Sequence, residues 1–213
     1  MLRVSLAMLF VLIPGAGTSF AGEIKLEKMK DWSLVVASDA TASERYAGEE
    51  FQSLFRQLTG LTLPIVDKAR GKSRNVFIGP GAAAAAGKLG FDASDMGEES
   101  LRIQIANKNI VIAGGRPRGT LYGVYEFFER YCGVRFLTAD QTHFPDQGRL
   151  QPLKKSDFSY TPPFSFRWSY YKENADRQDF AARMRVNTVV TDEKLGGSTR
   201  QTLIGHSYYR WIT

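Results

Sequence analysis

The sequence predicts an α+β domain in which helices pack on a mixed β-sheet, followed by the opening of a parallel α/β unit. Three observations carry that prediction. Two long stretches, 42–59 and 120–131, repeat apolar residues at the three-and-four spacing of a helix with one buried face. Around them lie short apolar runs bounded by Gly, Pro and Asn, two of which return on each other across a tight turn. After a proline-bearing stretch, a strand-like run, a helical run and a second strand-like run occur within residues 164–190.

Taken in order, residues 32–37 (Trp-Ser-Leu-Val-Val-Ala) read as a buried strand. Ser38 to Thr41 is a turn of capping residues, and the helix from Ala42 buries Ala47, Phe51, Leu54, Phe55 and Leu58. Gly60 stops it, because glycine enters the left-handed conformation without steric cost. Residues 63–66 read as an edge strand, since Pro64 cannot donate to a ladder. A basic loop, Arg70 to Arg74, leads to a strand at 75–79 and an alanine run that forms a short helix. Leu101, Ile103 and Ile105 alternate with Arg102 and Gln104, and residues 110–113 return as the partner strand of a hairpin. The second long helix buries Leu121, Val124, Tyr125, Phe128 and Tyr131, ends at Gly133, and is followed by a short strand at 134–137.

Composition narrows the class. The chain has 213 residues, 43% apolar and 12% aromatic, which is enough to build a sizeable core and excludes disorder, collagen and a coiled coil. One cysteine, Cys132, excludes an internal disulfide and a Cys-rich zinc site; it lies at the end of an apolar helical stripe and is expected to be buried. The two histidines, His143 and His206, are far apart, and no metal or cofactor is expected. The formal charge is +6, from 28 basic and 22 acidic residues, but no run of five or six cations marks a nucleic-acid binder.

The domain plan is set by punctuation. Residues 1–21 read as a secretory signal: Arg3 opens it, an apolar run spans 4–13, Pro14-Gly15 breaks that run, and Ser19 and Ala21 are the small residues of a cleavage site. That run is too short to span a bilayer, and no later stretch does so, so export without a membrane span is expected. Residues 22–150 form the α+β domain. Residues 151–163, with Pro152, Pro162 and Pro163, read as a linker or an extended edge. Residues 164–213 read as an incomplete first βαβ unit of a (β/α)8 barrel, a fold that takes about 250 residues, so the chain is expected to be a fragment.

Several motifs bear on chemistry. Gly114-Gly115-Arg116-Pro117-Arg118-Gly119 joins a strand to a helix as a phosphate loop does, but its spacing departs from the dinucleotide and Walker patterns, and its glycines are expected to allow tight packing. Arg116 and Arg118 are candidates for pairing with acids of an adjoining domain. The pairs Glu49-Glu50 and Glu126-Glu129 are expected on solvated helix faces. Asp192, just after the second strand of the new unit, falls where barrel active sites form, and Arg167 lies on its first strand. His206, Tyr208 and Tyr209 gather a hydrogen-bonding imidazole and aromatic faces suited to a sugar ring. Zinc-peptidase and α/β-hydrolase signatures are absent.

Ala40-Thr41-Ala42-Ser43-Glu44-Arg45-Tyr46-Ala47, with Leu58-Thr59-Gly60 and Leu63-Pro64-Ile65, resembles the N-terminal domain of α-glucuronidase-like glycoside hydrolases. Residues 111–125, Val-Ile-Ala-Gly-Gly-Arg-Pro-Arg-Gly-Thr-Leu-Tyr-Gly-Val-Tyr, are the most specific part, and Gly133-Val134-Arg135-Phe136 continues it. The domain is also similar to the non-catalytic second domain of β-hexosaminidases, a sandwich of helices on a sheet. The segment Gly205-His206-Ser207-Tyr208-Tyr209 resembles a stretch of secreted bacterial proteins of uncharacterised function. The alanine run and the basic loop Arg70 to Arg74 lie outside the family pattern.

The resemblance implies an accessory part of a secreted glycoside hydrolase acting on polysaccharide or uronic-acid-containing sugars. Its two catalytic carboxylates belong to the barrel, so no catalytic residue is assigned here. The expected partners are a carbohydrate and the chain's own C-terminal barrel. His206, Tyr208, Tyr209, Arg167 and Asp192 are the candidate sugar contacts, and Arg116 and Arg118 the candidate interdomain contacts. The alternative is a secreted, non-catalytic carbohydrate-binding or interaction module using the aromatic segments 168–171 and 208–211.

Overall fold

A computed structural model describes residues 23–199. Among the described residues eight strands occur in chain order: β1 Ser33–Val36, β2 Ile65–Val66, β3 Asn75–Ile78, β4 Leu101–Ala106, β5 Asn109–Gly114, β6 Arg135–Phe136, β7 Thr142–His143 and β8 Ser156–Tyr160. The helices are α1 Ala42–Thr59, α2 Pro80–Ala84, α3 Gly119–Cys132, α4 Lys172–Asp176 and α5 Gln178–Arg183. Six strands form one sheet in the order β2-β1-β3-β5-β4-β8. β2, β1, β3 and β5 run parallel, whereas β4 is antiparallel to both β5 and β8. β6 and β7 pair separately. The fold is therefore α+β with a mixed sheet, as the sequence predicts.

Both long helices lie on one face of this sheet. Leu34, Val36, Val76, Ile78, Ile110 and Ile112 meet Phe51, Phe55, Leu121, Tyr125 and Phe128 in one core. Phe51 sits between Phe127 and Phe128, with ring centroids 5.5 and 5.1 Å away, so aromatic packing joins α1 to α3. The alternate residues Val35, Phe77, Val111 and Ala113 face the other way and are covered by Ala82 and Ala83 of α2. Coverage on both faces explains why β1, β3 and β5 are buried throughout, with apolar residues in succession after their polar first positions rather than alternating.

Local chemistry fixes the ends. Thr41 and Glu44 form a reciprocal capping box at the start of α1, the Glu44 amide donating to Thr41 Oγ1 and the Thr41 amide to Glu44 Oε2. Gly60 and Gly133 take the left-handed conformation that closes α1 and α3. The β4–β5 hairpin turns on Asn107 and Lys108, with φ of 50° and 55°. Positive φ at both central residues matches the twist of the strands. Lys108 and Arg74 (φ 68°) each hold a backbone that costs a residue with a side chain roughly 1 kcal/mol more than glycine. Cys132 is buried at the end of α3, and desolvation pushes its thiol well above the ordinary range.

The glycine-rich turn before α3 is packed shut by its own chain. A Cβ on Gly114 would lie 2.3 Å from the Ser100 carbonyl oxygen and 2.5 Å from the Gly119 carbonyl carbon, and one on Gly115 would lie 2.0 Å from the Gly97 carbonyl oxygen. Gly115 N donates to Ser100 O, and Arg118 N and Gly119 N donate to Glu98 O. The amides that would face a phosphate are thus engaged by residues 98–100. The tight-packing expectation holds, and the nucleotide reading falls.

Two expectations change beyond residue 150. Of the two options for 151–163, the extended edge forms: β8 closes the sheet, with Phe158 opposite Ile103 and a two-pronged Arg102–Asp157 ion pair at 2.8–2.9 Å across the edge. The strands expected at 164–168 and 187–190 make no ladder among the described residues; only the helix between them forms, as α5. The two stretches still lie side by side, since Asn187 N donates to Arg167 O at 3.2 Å. Val190 is buried in the main core.

Gly114→Ala is expected to destabilise the protein by about 2–3 kcal/mol in urea unfolding, because the obstructing atoms are backbone and cannot swing aside. Gly148→Ala, where an added Cβ meets nothing within 4 Å, serves as the control and leaves the midpoint unchanged.

Candidate functional site

The residues beyond the sheet, 161–199, are held on the domain by a row of ion pairs. Glu99 lies just before β4, opposite the end of β5, and its carboxylate is buried. Oε1 accepts from Arg118 Nε at 2.8 Å and from Asn187 Nδ2 at 2.7 Å, and Oε2 accepts from Arg167 Nη2. Arg118, at the start of α3, is 3% exposed, and its remaining nitrogens donate to the Gly196 and Gly197 carbonyls and to Thr199 Oγ1. Arg167 spends its other donors on the Arg185 and Phe164 carbonyls.

Four further pairs continue the seam. Glu50 of α1 accepts from Nε and Nη2 of Arg183 from α5, at 3.0–3.3 Å. Glu126 and Glu129 of α3 flank Arg185 at 3.3 and 2.6 Å. Asp140 takes Arg177 at 2.5 Å. In each, the domain supplies the acid and the later segment the guanidinium. Burial works against the charge on Arg183, but Glu50 outweighs it and holds the guanidinium above its ordinary pKa. Burial also raises the phenols beside the seam: Tyr122 is pushed up to about 12, with the Glu99 charge adding to desolvation, and Tyr125 and Tyr46 are raised by desolvation and then by Glu50.

A cavity of about 290 Å³ opens at the seam, lined by Glu99, Tyr122, Glu126, Arg130, Arg167 and Arg185 among others. Its two carboxylates are both held by arginines. With both oxygens of Glu99 taken by guanidinium and amide donors, none is left to pass a proton to a glycosidic oxygen. The chemistry of this arrangement is docking: complementary charge that fixes one orientation of the segment on the domain.

The candidate residues separate accordingly. Arg118 and Arg167 are brought together on Glu99, Arg118 as the expected contact between the two parts and Arg167 as a clamp rather than a free sugar contact. Arg116 instead pairs with Glu44 at 2.7 Å, inside the domain. Asp192 caps the 3-10 turn Glu193–Leu195 by accepting from Lys194 N, and also pairs with the Lys194 side chain. His206, Tyr208 and Tyr209 lie outside the described residues. Of the carboxylates expected on solvated faces, Glu49 is exposed as expected, but Glu50 is buried, and Glu126 and Glu129 are largely covered by Arg185. Sequence reasoning missed Glu99 and Asn187. A signal existed for Glu50, which falls on the apolar stripe three residues after Ala47. Among the described residues no helix is long and apolar enough to cross a membrane.

Residues 22–127 match the model of a known family, described as Glycosyl hydrolase family 67 N-terminus. No curated protein matches the chain. Among solved structures, a family GH115 4-O-methyl-α-glucuronidase with specificity for decorated arabinogalactans is similar at 13% identity, with a TM-score of 0.50 over 74% of this chain and 24% of its own. A Streptomyces plicatus N-acetyl-β-hexosaminidase in complex with thio-NAglucal is similar at 16% identity, with a TM-score of 0.45 over 73% of this chain and 29% of its own. This chain spans less than a third of either.

Glu99→Ala leaves two arginines facing a void and is expected to cost about 3–5 kcal/mol in urea unfolding, whereas Glu98→Ala, at an exposed acid 3.7 Å from Arg118, changes nothing measurable. Alkali gives a second test. Tyr46, Tyr122 and Tyr125 hold their protons in the folded state above the ordinary value of 10.0. Above pH 10 the unfolded chain therefore binds fewer protons than the folded one, and stability falls as pH rises. The phenolate absorbance of these three should appear only together with unfolding.

Proposed function

With residues 22–127 an α-glucuronidase-like N-terminal domain, we propose that this chain is the accessory N-terminal part of a secreted glycoside hydrolase acting on polysaccharide or uronic-acid-containing sugars. The observation that carries the reading is the seam. A domain that spends buried acids on the arginines of the segment after it is built to buttress that segment, not to turn over a substrate itself. In this reading residues 164–213 open a (β/α)8 barrel whose carboxylates do the chemistry. The helix α5 and the Arg167–Asn187 contact support that opening without a ladder.

The proposed reaction is cleavage of a glycosidic bond by two barrel carboxylates, one acting as acid and the other as base or nucleophile. The likeness in fold to an α-glucuronidase and the domain match favour a uronic acid on the scissile side. Export rests on residues 1–21, whose removal leaves Gly22 as the first residue. A second reading, a secreted carbohydrate-binding module, draws on one observation: Tyr170 and Tyr171 are 83% and 77% exposed, and the Tyr170 ring lies against Trp168, tilted by 41° with centroids 4.1 Å apart.

The test is the intact mass and N-terminus of the native secreted protein, with an aryl α-glucuronide assay on it and on the 213-residue chain. The expected outcome is an N-terminus at Gly22, a mass well above that of residues 22–213, turnover by the native protein and none by the chain alone. A native mass equal to residues 22–213 with no turnover discards the hydrolase reading in favour of the module.

A further inference from the structure

The edge of the sheet opposite Glu99, where β1, β3 and β5 begin, carries a feature that buttressing leaves unused. A groove of about 470 Å³ runs there, lined by Lys30, Asp31, Trp32, Pro64, Arg70 and Arg74 among others. The loop Arg70 to Arg74 forms one wall. The β4–β5 turn adjoins it, because Arg74 N donates to Lys108 O at 2.6 Å. Arg70, Lys72, Arg74 and Lys108 are exposed, and among the described residues none of them is in an ion pair.

This basic loop is fixed in place from below. The buried Asn75 donates through Nδ2 to the Gly71 and Ser73 carbonyls at 2.9 and 3.2 Å. The buried Asn109 donates through Nδ2 to the Lys72 carbonyl at 2.9 Å, while its Oδ1 accepts from Asn75 N at 3.0 Å. Two side-chain amides thus hold successive carbonyls of the loop, and the cations are presented from a set backbone. Two of those cations also occupy positions where glycine would be less strained, Arg74 and Lys108, both left-handed. A turn that served only to connect strands would be better made with glycine there. Side chains kept at strained positions point to a use for the side chains.

We propose that this groove is a non-catalytic binding site for an anionic polysaccharide, a glycan bearing carboxylate or sulfate groups along its length. Guanidinium forks match both groups in two-pronged geometry, and a loop backbone held in advance adds no ordering cost of its own on binding. An open groove along a sheet edge suits a chain rather than an enclosed small molecule. The choice of glycan over nucleic acid rests on the glycoside hydrolase reading and on the groove itself: its aromatic ring, Trp32, is buried and gives bases no face to stack on.

The test is titration of the full chain with polygalacturonate, dextran sulfate, neutral dextran and a short DNA duplex at low ionic strength, repeated with added salt. Binding to one or both charged glycans, weakened by salt and absent for neutral dextran, is expected; which of the two binds names the anionic group. The combined variant Arg74→Gly, Lys108→Gly relieves two left-handed positions, so its melting temperature should hold or rise while its affinity falls about tenfold. Arg70→Ala with Lys72→Ala, on the same loop, should lose affinity similarly, whereas Lys88→Ala with Lys172→Ala removes the same charge elsewhere and should not. Unchanged affinity in both loop variants, equal binding of neutral dextran, or tighter binding of the duplex overturns the proposal. Because binding is read on this chain and hydrolysis on the longer native protein, each reading can fail alone.

Discussion

Glu99 is the charge around which the two parts of this chain are organised. A carboxylate taken out of water is costly unless every oxygen finds a donor, and here the donors come from three places: Arg118 at the start of α3, and Arg167 and Asn187 from the segment beyond the sheet. Each of those groups is then oriented by what remains to it. Arg118 reaches on to the carbonyls of Gly196 and Gly197, and Arg167 to those of Phe164 and Arg185. Among the described residues the segment has no ladder strand, and it takes its position from this buried anion together with the pairs at Glu50, Glu126, Glu129 and Asp140. Such pairs add little net stability over an apolar contact of the same size, but they permit few alternative registers. That is the property a docking surface needs.

The glycine turn and the seam are two sides of one constraint. Residues 97–100 must lie against the Gly114–Gly119 turn for Glu99 to reach Arg118, and they do so closely enough that Gly114, Gly115 and Gly119 have no room for a Cβ. The same close approach engages the turn amides. A motif that in another context would cradle a phosphate is here occupied by a neighbouring stretch of backbone, and its arginines are turned to internal acids.

Much of the fold was legible because it depends on local rules. The bounds of α1 follow from the Thr41–Glu44 capping box and Gly60, those of α3 from Gly133, and the hairpin from alternation around Asn107 and Lys108. The seam was not legible in the same way. Glu126 and Glu129 have the spacing of an ordinary solvated helix face, and only the arrival of Arg185 from more than fifty residues away covers them. Glu99 gave no local sign, since it stands outside both the helices and the strand it precedes. Arg167 was singled out as a sugar contact because the strand–helix–strand pattern put it on a barrel strand. The side chain instead turns back to the domain, where an unneutralised carboxylate is a stronger attraction than solvent.

The two edges of the sheet therefore use charge in opposite ways. Where β5 ends and β4 begins, acids meet arginines at hydrogen-bonding distance and their charges cancel internally. Where β1, β3 and β5 begin, buried asparagine amides satisfy the loop backbone, and its cations have no carboxylate partner among the described residues. Charges that cancel locally contribute little to the field outside the molecule, so the formal excess of +6 is felt where pairing is absent. The choice of amide over acid at Asn75 and Asn109 is what separates the two edges. An aspartate at either position could accept but not donate, so the loop carbonyls would lose their donors, and a negative charge would be set beneath Arg74. Neutral amides hold the loop without discharging it, and an outward-facing basic surface is what remains.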